Sequence, residues 1–501
     1  MPSRLWPTFF AHSSVGRPGF VAEFGCWDDP QTEAARQIEA ELDQVEFVRV
    51  AYCDPHGLAR SKTVPASVFR NVLRNGMDFS PGPFLFDTGH AVAVEIVGDD
   101  PDVGVAEIAG AGDFVLIPDP LTFLVLPHSE PATAWVLGDE YLRDGTPHPL
   151  STRRVLRRVG ERYAAKGLAP VVGLEVEWYL TRLLGGAPGN RGNGFGLQGA
   201  APAVEAMNGG YQFNLDMYYD SVAAVVDPLA LTLRSLGLPL RSMEHESGPG
   251  QVETTFDPML ALDSADAMLL LRTVVKQYCA RRGFHASFMA LPRVDGFDPS
   301  GWHLHQSVMN TKTGENVFTV DGGQGMSTEG KAYLDGLLDR ARDFCMLSVP
   351  TVNGYRRMAP QFPLAPTSAN SSVEDRTAMV RVLGEGTSLR MENRVGEPCA
   401  NPYLAIAAQL SAGLDGIIGD DSANGPKQDA APGTLPRSLR EALQAFRESD
   451  HARRLLGRPL ASCLAKLKES EASRFEAWCA EWHLPVKDVT EWEQREYFGV
   501  F

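Results

Sequence analysis

The chain has 501 residues, 44% hydrophobic and 22% charged, which is the balance of an ordinary globular protein. A formal net charge of −17 argues against nucleic acid or an anionic membrane as a main partner, although a local basic pocket can still bind small anions. The seven cysteines are scattered, and no apolar run is long enough for a signal core or a membrane span. We therefore expect reduced thiols and a cytoplasmic location.

The first 145 residues predict an N-terminal extension followed by a small domain. The extension covers 1–45 and includes a helix at 31–45, where good helix formers run without a breaker. From 46 to 145, a hairpin turns at Asp54-Pro55-His56-Gly57, a helix covers 66–75, and strand-like runs lie near 91–97, 114–117 and 131–138. Residues 76–90 form a loop rich in Gly, Pro and Phe. A polar, turn-rich segment near residue 145 marks the boundary.

Residues 146–501 mix helices and strands in one large domain. An amphipathic helix ends at Gly167, and further helical stretches cover 219–236, 263–283, 327–347, 401–417 and 437–448. Two loops, 184–200 and 419–436, are rich in glycine. The first is not a Walker loop, because no Gly-Lys-Ser/Thr follows, and a hairpin tip is its plainer interpretation. The aromatic end of the sequence predicts docking against the core.

Four strand-like segments carry polar residues on one face and mostly apolar residues on the other. Because side chains alternate with period two, the polar faces comprise, in chain order, Glu175 and Glu177; Gln251 and Glu253; His303, His305 and Ser307; and Arg390, Glu392 and Arg394. Each alone has a plainer explanation as a solvated sheet face, a structural histidine pair or a surface charge ladder. If the strands curve into one sheet, their polar faces converge and gather Glu175, Glu177, Glu253, His303 and Glu392, with Glu246 from a neighbouring loop.

Such a cluster predicts a divalent-metal site. Like charges at this density would force several carboxyl groups to protonate unless cations neutralise them. Oxygen-rich ligation with one imidazole and no thiolate favours Mg²⁺ or Mn²⁺ over zinc. The segment 353–394 adds six arginines, whose planar groups suit bidentate contact with phosphate and carboxylate. Carboxylate-held metals beside an arginine cluster predict a phosphoryl-transfer site.

These motifs resemble the glutamine synthetase family, in order and over nearly the whole chain from about residue 45. The segments that carry the resemblance are FVRVAYCDPHGLARSKTVP, VGLEVEWYL, ESGPGQVE, SGWHLHQS, TVNGYRRMAP, EDRTAMVRV and RMENRVGEPCANPYLAIAAQLSAGLDGI. The resemblance implies an α+β fold, in which a β-grasp-like N-terminal domain precedes a catalytic domain whose curved antiparallel sheet forms a half barrel backed by helices. It also implies homo-oligomeric rings, commonly two stacked hexamers with active sites between subunits.

The resemblance also implies roles for single residues. Glu177, Glu246 and Glu253 match the ligands of one metal, and Glu175, His303 and Glu392 match those of a second at the ATP phosphates, so two to three Mg²⁺ or Mn²⁺ are implied per site. His305 and Ser307 match nucleotide contacts, while Arg376, Arg381 and Arg390 match phosphate contacts. Arg357 and Arg394 match the residues that hold L-glutamate, and Gly301 lines the glutamate site. The catalytic positions would be Arg357, Arg376, Glu392 and Arg394.

The chain departs from the family pattern on the amine side. Ammonium-using members carry a glutamate in the flap after their Asn-Ser-Tyr-Lys-Arg motif, where this chain has Phe362-Pro363-Leu364. An ammonium ion needs an anionic cage, so this loss favours an organic amine, apolar or aromatic such as aniline or an alkylamine, and a role in amine catabolism. The loop 76–90 adds Phe79, Phe84 and Phe86, whose rings would line the amine site or else pack at a subunit interface. Asp78 or Asp87 would replace an aspartate that members supply from the neighbouring subunit.

Three alternatives stay open. One is a glutamine synthetase that uses ammonium, against which the flap argues. Another is a ligase for polyamines or ethanolamine, although the flap offers no acidic group to bind a second cation. The last is a catalytically inactive relative, which is disfavoured because all six metal-ligand positions are filled. The loop 419–436 contains no tyrosine, so we expect no control by adenylylation.

Overall fold

A computed structural model describes residues 18–95, 103–185, 194–320, 325–419, 433–482 and 488–501. Up to residue 141, its helices and strands are α1 (Phe20–Phe24), α2 (Asp29–Glu41), β1 (Phe47–Cys53), β2 (Ala59–Pro65), α3 (Ala66–Asn75), β3 (Met77–Phe79), α4 (Gly82–Leu85), β4 (Phe114–Pro118), β5 (Leu124–Val125) and β6 (Thr133–Tyr141).

The N-terminal strands form a mixed sheet in the order β2-β1-β6-β4-β3, with β5 beside β6. Strands β1 and β2 are the predicted hairpin, closed by the turn at Asp54, whose side chain accepts hydrogen bonds from the backbone N–H groups of His56 and Leu58. Strand β1 runs parallel to β6, while β4 pairs with β6 antiparallel. The N-terminal part thus folds around one mixed sheet, as a β-grasp-like domain requires.

The remaining elements follow helix α5. They are α5 (Thr152–Ala164), β7 (Leu168–Leu183), β8 (Val204–Ala206), α6 (Asp216–Ser235), β9 (Leu240–His245), β10 (Gln251–Phe256), β11 (Met259–Leu260), α7 (Ala261–Ala280), β12 (Phe284–Ser287), β13 (Trp302–Asn310), α8 (Thr328–Asp339), α9 (Ala341–Ser348), α10 (Gly354–Arg357), β14 (Ser371–Val373), β15 (Val380–Leu383), β16 (Arg390–Asn393), α11 (Pro402–Ile418), α12 (Leu439–Glu448), α13 (Asp450–Leu456), α14 (Arg458–Trp482) and α15 (Glu491–Tyr497).

Their strands build a second sheet that curls into a half barrel. The order is β14-β15-β16-β13-β7-β10-β9, and β8, β11 and β12 add to the long central strand β7. Neighbours are antiparallel except β14 and β15, which run parallel. The apolar face of β7, formed by Leu174, Val176 and Trp178, is fully buried in the core. The opposite, polar face is therefore left to line the inside of the half barrel.

The apolar pattern predicted most elements but not all. The hairpin, the predicted helices and the strands near 114–117 and 131–138 are present, although the stretch 327–347 is two helices that meet at Arg340. The predicted strand at 91–97 is wrong over its described residues 91–95, where only Val92 forms a single bridge, to Phe86. The Asp87 carboxylate accepts hydrogen bonds from the backbone N–H groups of Gly89 and Ala91, so the chain turns back there instead.

Several smaller expectations were also tested. All seven cysteines are free, and the aromatic C-terminal segment docks, with Phe498 and Phe501 buried. Within the described ranges, no helix combines the length and the apolarity needed to cross a membrane. Most of the two glycine-rich loops, including the segment 420–432 that bears on adenylylation, lies outside the described residues.

Candidate active site

The register of the half barrel brings the predicted carboxylates and histidines together. His303 of β13 lies opposite Glu175 of β7, and Glu253 of β10 lies opposite Glu177. On the other side of β13, His305 lies opposite Glu392 of β16. Since partners in an antiparallel pair lie side by side on one face, these strands project one continuous polar surface.

Three groups of side chains have ligand atoms close enough to hold a cation. Glu175, His303 and Glu392 form one group, and Glu177, Glu253 and His303 form a second, with the atoms of each within 4.8 Å of one another. The first group is the set predicted for the ATP-side metal. In the second, His303 stands where Glu246 was predicted, because Glu246 groups instead with Glu253 and Glu244. The structure thus gathers all six predicted ligands.

The electrostatics of this surface call for a cation. Burial, together with the negative charges of Glu175 and Glu177, raises the pKa of Glu253 to about 10. Burial and the charge of Glu177 raise the pKa of Glu246 to about 8. Without a metal, burial and mutual repulsion therefore favour the protonated form of both groups. Divalent cations bound to carboxylate oxygens would remove that repulsion, so the residues fit Mg²⁺ or Mn²⁺.

Hydrogen bonds orient the metal-facing side chains. His303 Nδ1 lies 2.5 Å from Glu175 Oε1 and 3.6 Å from Glu392 Oε1. His305 Nε2 lies 2.9 Å from Glu175 Oε2. Burial acts to raise the pKa of Glu175, but its hydrogen bonds with His303 and His305, and their charges, hold that pKa well below its ordinary value. This carboxylate is therefore ionised and ready to bind a cation.

Arginines surround the carboxylates, as the sequence predicted. Arg381 Nη1 donates to Glu392 Oε2 at 3.3 Å, and Arg394 donates to the other oxygen of Glu392. The Nε atoms of Arg381 and Arg394 are buried, yet neither has a hydrogen-bond partner among the described residues. Buried donors of this kind normally find an acceptor. The guanidinium groups of Arg381 and Arg394 also line the cavity, where their positive charge suits an anionic ligand.

Gly301 supports this arrangement by leaving room for it. Its backbone N–H donates to Glu177 Oε2 at 2.8 Å. A Cβ at this position would lie 2.6 Å from Arg357 Nη2 and 3.0 Å from His303 Nε2. Arg357, buried, in turn contacts His303 Nε2 at 3.1 Å and the backbone oxygen of Arg394 at 3.0 Å. The absence of a side chain at 301 is what allows Arg357 to reach the site.

The polar surface opens into a cavity of about 710 Å³. It is lined by eleven of the predicted residues, which are Glu175, Glu177, Glu246, Glu253, His303, Arg357, Phe362, Leu364, Arg376, Arg381 and Arg394. Glu392 lies behind them as a partner of Arg381 and Arg394, and His305 and Arg390 contact each other at 3.3 Å beside it. Ser307 is half-buried two residues further along β13. The flap residues Phe362 and Leu364 thus share one cavity with the carboxylates.

The predicted contribution of the loop 76–90 to the amine site needs correction. Phe84 is fully buried and Phe79 is 5% exposed, because both rings pack with Tyr52 and Phe114 in the core of the N-terminal sheet. Neither ring is free to line an amine pocket. Phe86 is half-buried and contacts Phe195.

Of the two acidic residues of this loop, one is committed to its own chain. Asp87 is fully buried, and its carboxylate accepts hydrogen bonds from Ser470 and Arg474. It therefore cannot reach a neighbouring subunit. Asp78 is exposed and pairs loosely with Arg143 at 3.3 Å.

Glu244 and Phe213 are among the cavity residues that went unrecognised in the sequence. Glu244 lies opposite Glu253 and on the same face as Glu246, and it lines the cavity. The alternation of Glu244 and Glu246 was a signal that would have revealed it. Phe213 also lines the cavity, but it lies in an irregular loop where no periodic pattern points to a face.

Comparison with known proteins agrees with this geometry. The catalytic-domain model of glutamine synthetase matches residues 149–486. A protein named gamma-glutamylanilide synthase, from Acinetobacter sp, is 37% identical, and the alignment covers 96% of this chain and 99% of that protein. A glutamine synthetase of Thermococcus kodakarensis is 30% identical, over 93% of this chain and 98% of that protein.

Solved structures show the same fold. The structure titled "GmaS/ADP complex-Conformation 1" superposes with a TM-score of 0.72 at 27% identity, covering 92% of this chain and 98% of the other. A structure described as a novel glutamine synthase homolog reaches a TM-score of 0.73 at 24% identity, over 90% of this chain and 99% of that one. From its catalytic-domain match and its near full-length relatives, the chain belongs to the glutamine synthetase family of ATP-dependent ligases.

Proposed function

We propose that this γ-glutamyl ligase joins the γ-carboxyl group of L-glutamate to an apolar or aromatic primary amine, such as aniline or an alkylamine. The observation that carries the proposal is the flap. Phe362, Pro363 and Leu364 line the same cavity as the carboxylates, and Leu364 is 55% exposed there. An apolar flap offers no cage for ammonium, whereas it suits a hydrocarbon group. The name of the Acinetobacter relative points in the same direction.

The chemistry would proceed in two steps. The γ-carboxylate of glutamate attacks the γ-phosphorus of ATP, so that ADP leaves and γ-glutamyl phosphate forms. The amine nitrogen then attacks the γ-carbonyl carbon, the phosphate leaves with the electrons of the broken C–O bond, and the amine loses a proton. Bound Mg²⁺ or Mn²⁺ would neutralise the phosphate charge.

The arrangement of the protein groups supports both steps. The guanidinium groups of Arg381 and Arg394 line the cavity, and Arg357 is buried beside His303. Such preorganised donors stabilise charge that builds up at phosphate and carboxylate oxygens. The acyl phosphate must be shielded from water. The flap residues Phe362 and Leu364 line the cavity and are apolar, so they would exclude water from it.

Phosphate release by the purified protein tests the proposal directly. The assay contains ATP, Mg²⁺ or Mn²⁺ and L-glutamate, with ammonium, methylamine, butylamine, ethanolamine, a polyamine, benzylamine and aniline supplied one at a time. We expect kcat/KM for at least one apolar amine to exceed that for ammonium by about a hundredfold or more. Turnover with ammonium alone would identify a glutamine synthetase instead. If none of the amines, ammonium included, led to phosphate release, an inactive relative would be favoured.

A further inference from the structure

The loop 207–215 is a fixed element of the cavity. The Asn208 side chain lies 2.8 Å from His245 Nε2 and accepts hydrogen bonds from the backbone N–H groups of Gly210 and Gly250. The Tyr211 backbone N–H donates to Ser247, and its hydroxyl group donates to Gly296 at 2.7 Å. These bonds hold the loop from both sides, so it does not depend on a ligand for its shape.

The backbone of this loop is strained where it passes the cavity. Tyr211 has a positive φ angle of 62°, in the left-handed region that bulky residues seldom adopt, while Asn214, with a φ of 54°, is a residue type that tolerates it. Gly210 has a φ of 62°, and a Cβ there would lie 2.7 Å from Pro249. Strained conformations persist only where the surroundings impose them, and they cluster at ligand-binding segments.

What the loop presents to the cavity is Phe213. Its side chain lines the cavity and is 63% exposed. Among the described aromatic residues, none makes a ring contact with it. A ligand that covers this ring would gain binding free energy from the apolar surface removed from water. Because the loop already has a fixed shape, little conformational entropy of the protein would be lost on binding.

The position of Phe213 relies on the neighbouring strand. The next residue, Asn214, donates its backbone N–H to the oxygen of His245 at 3.1 Å. His245 lies between Glu244 and Glu246, the two carboxylates of this end of the cavity. The ring is thus tied to the strand that carries the acidic groups, while Phe362 and Leu364 supply further apolar surface in the same cavity.

We propose that Phe213 is a specificity-determining residue, whose ring packs against the organic group of the amine. This inference rests on the proposed function, because only an organic amine brings a hydrocarbon group to the site. The nitrogen of that amine would lie towards Glu244, which is not among the predicted metal ligands and whose oxygens can accept hydrogen bonds from N–H groups. The larger the apolar group of the amine, the more of the Phe213 ring it covers.

The test compares Phe213→Ala with wild type in the full enzyme, using methylamine, butylamine, benzylamine and aniline. We expect the substitution to lower kcat/KM for the larger preferred amine about tenfold or more relative to that for methylamine, mainly through KM. The KM for glutamate should stay within about twofold, and Phe213→Tyr should restore most of the preference. Met217→Ala is the matched control, since Met217 is 66% exposed nearby but does not line the cavity.

The possible outcomes separate the two proposals. Suppose that wild type uses an organic amine and that Phe213→Ala shows the same selectivity among amines as the control Met217→Ala. The inference on Phe213 is then wrong, while the proposed ligase function stands. If wild type releases phosphate only with ammonium, the proposed function fails and the role of Phe213 falls with it. A uniform loss over all amines with an unchanged ratio would also overturn the specificity role.

Discussion

At the scale of single residues, the acidic surface of the half barrel offers ligand atoms for cations at a cost to the stability of the fold. Glu253 illustrates this best, because it lies opposite both Glu177 and Glu244 and is 9% exposed. Burying a carboxylate among other carboxylates destabilises the folded protein, and a bound metal ion would offset that destabilisation. Stability and metal binding should therefore respond in opposite directions when Glu253 is replaced by glutamine.

We predict that Glu253→Gln raises the melting temperature of the metal-free protein at pH 8 by a few degrees and lowers ligase activity about a hundredfold or more. In wild type, saturating Mn²⁺ should add about 2 to 3 kcal/mol of stability, and the variant should lose most of that gain. Melting curves with EDTA and with Mn²⁺, beside the phosphate assay, measure both effects. The exposed Glu205→Gln serves as control. Equal stabilisation of variant and wild type by Mn²⁺ would contradict the metal role of Glu253.

A second single-residue feature is Gly301, which leaves space for the Arg357 side chain beside His303. We predict that Gly301→Ala lowers kcat/KM for glutamate about tenfold or more, because the new Cβ displaces Arg357 from beside His303. The melting temperature should change by no more than about 5 °C. Gly160→Ala in helix α5 is the matched control, since a Cβ there meets nothing within 4 Å and should leave kinetics unchanged. Normal kinetics for Gly301→Ala would show that Arg357 does not depend on this gap.

At the scale of elements, the start of helix α5 depends on a buried carboxyl group of the N-terminal sheet. Ser151 caps the helix, accepting a hydrogen bond from the backbone N–H of Arg154 while its hydroxyl group donates to Glu140 Oε2 at 2.5 Å. Burial raises the pKa of Glu140 from 4.5 to about 7. The cap therefore links helix α5 to the N-terminal sheet through a group that titrates near neutral pH.

This linkage predicts a pH dependence of stability. Below pH 4.5, Glu140 is protonated in both the folded and the unfolded chain, so its contribution is fully present. As the pH rises towards 7, the unfolded chain releases the proton first, and the folded protein loses up to about 3 kcal/mol. Glu140→Gln cannot titrate, so its stability relative to wild type should rise between pH 5 and pH 8. Urea denaturation at both pH values measures this difference, with the exposed Glu39→Gln as control. A difference that does not change with pH would rule out this role of Glu140.

At the scale of elements, the sequence could predict which side chains share a strand face but not how the strands and loops are placed. Period-two alternation identified Glu175, His303 and Glu392 as members of one polar surface, because a strand fixes which side chains share a face. Alternation says nothing about register, so it could not reveal that His303 belongs to two of the three ligand groups. Phe79 and Phe84 were misjudged for a related reason. Their loop contains strand β3 and helix α4, which turn both rings into the core.

At the scale of the whole molecule, the candidate site is built by one part of the chain. Every residue that lines the cavity, from Glu175 to Arg394, follows helix α5 in the sequence, and the described N-terminal sheet contributes none. The exposed Asp78 is not among the residues that line the cavity of its own chain. We propose that it completes the site of an adjacent subunit, in a double hexameric ring of about 650 kDa formed by twelve chains of 54.5 kDa.

Mixed oligomers test this shared site. Alone, Asp78→Lys should lower activity about tenfold or more and Glu253→Gln about a hundredfold, each in rings of normal mass. When the two variants are co-expressed in equal amounts, a site works only if its catalytic half and its neighbour's Asp78 are both intact. Random mixing makes that true of about one site in four, so we expect about 25% of wild-type activity to return. Co-expressing Glu253→Gln with His303→Ala, two lesions in the same half, should restore nothing. Failure of the first pair to complement would mean that each subunit builds its site alone.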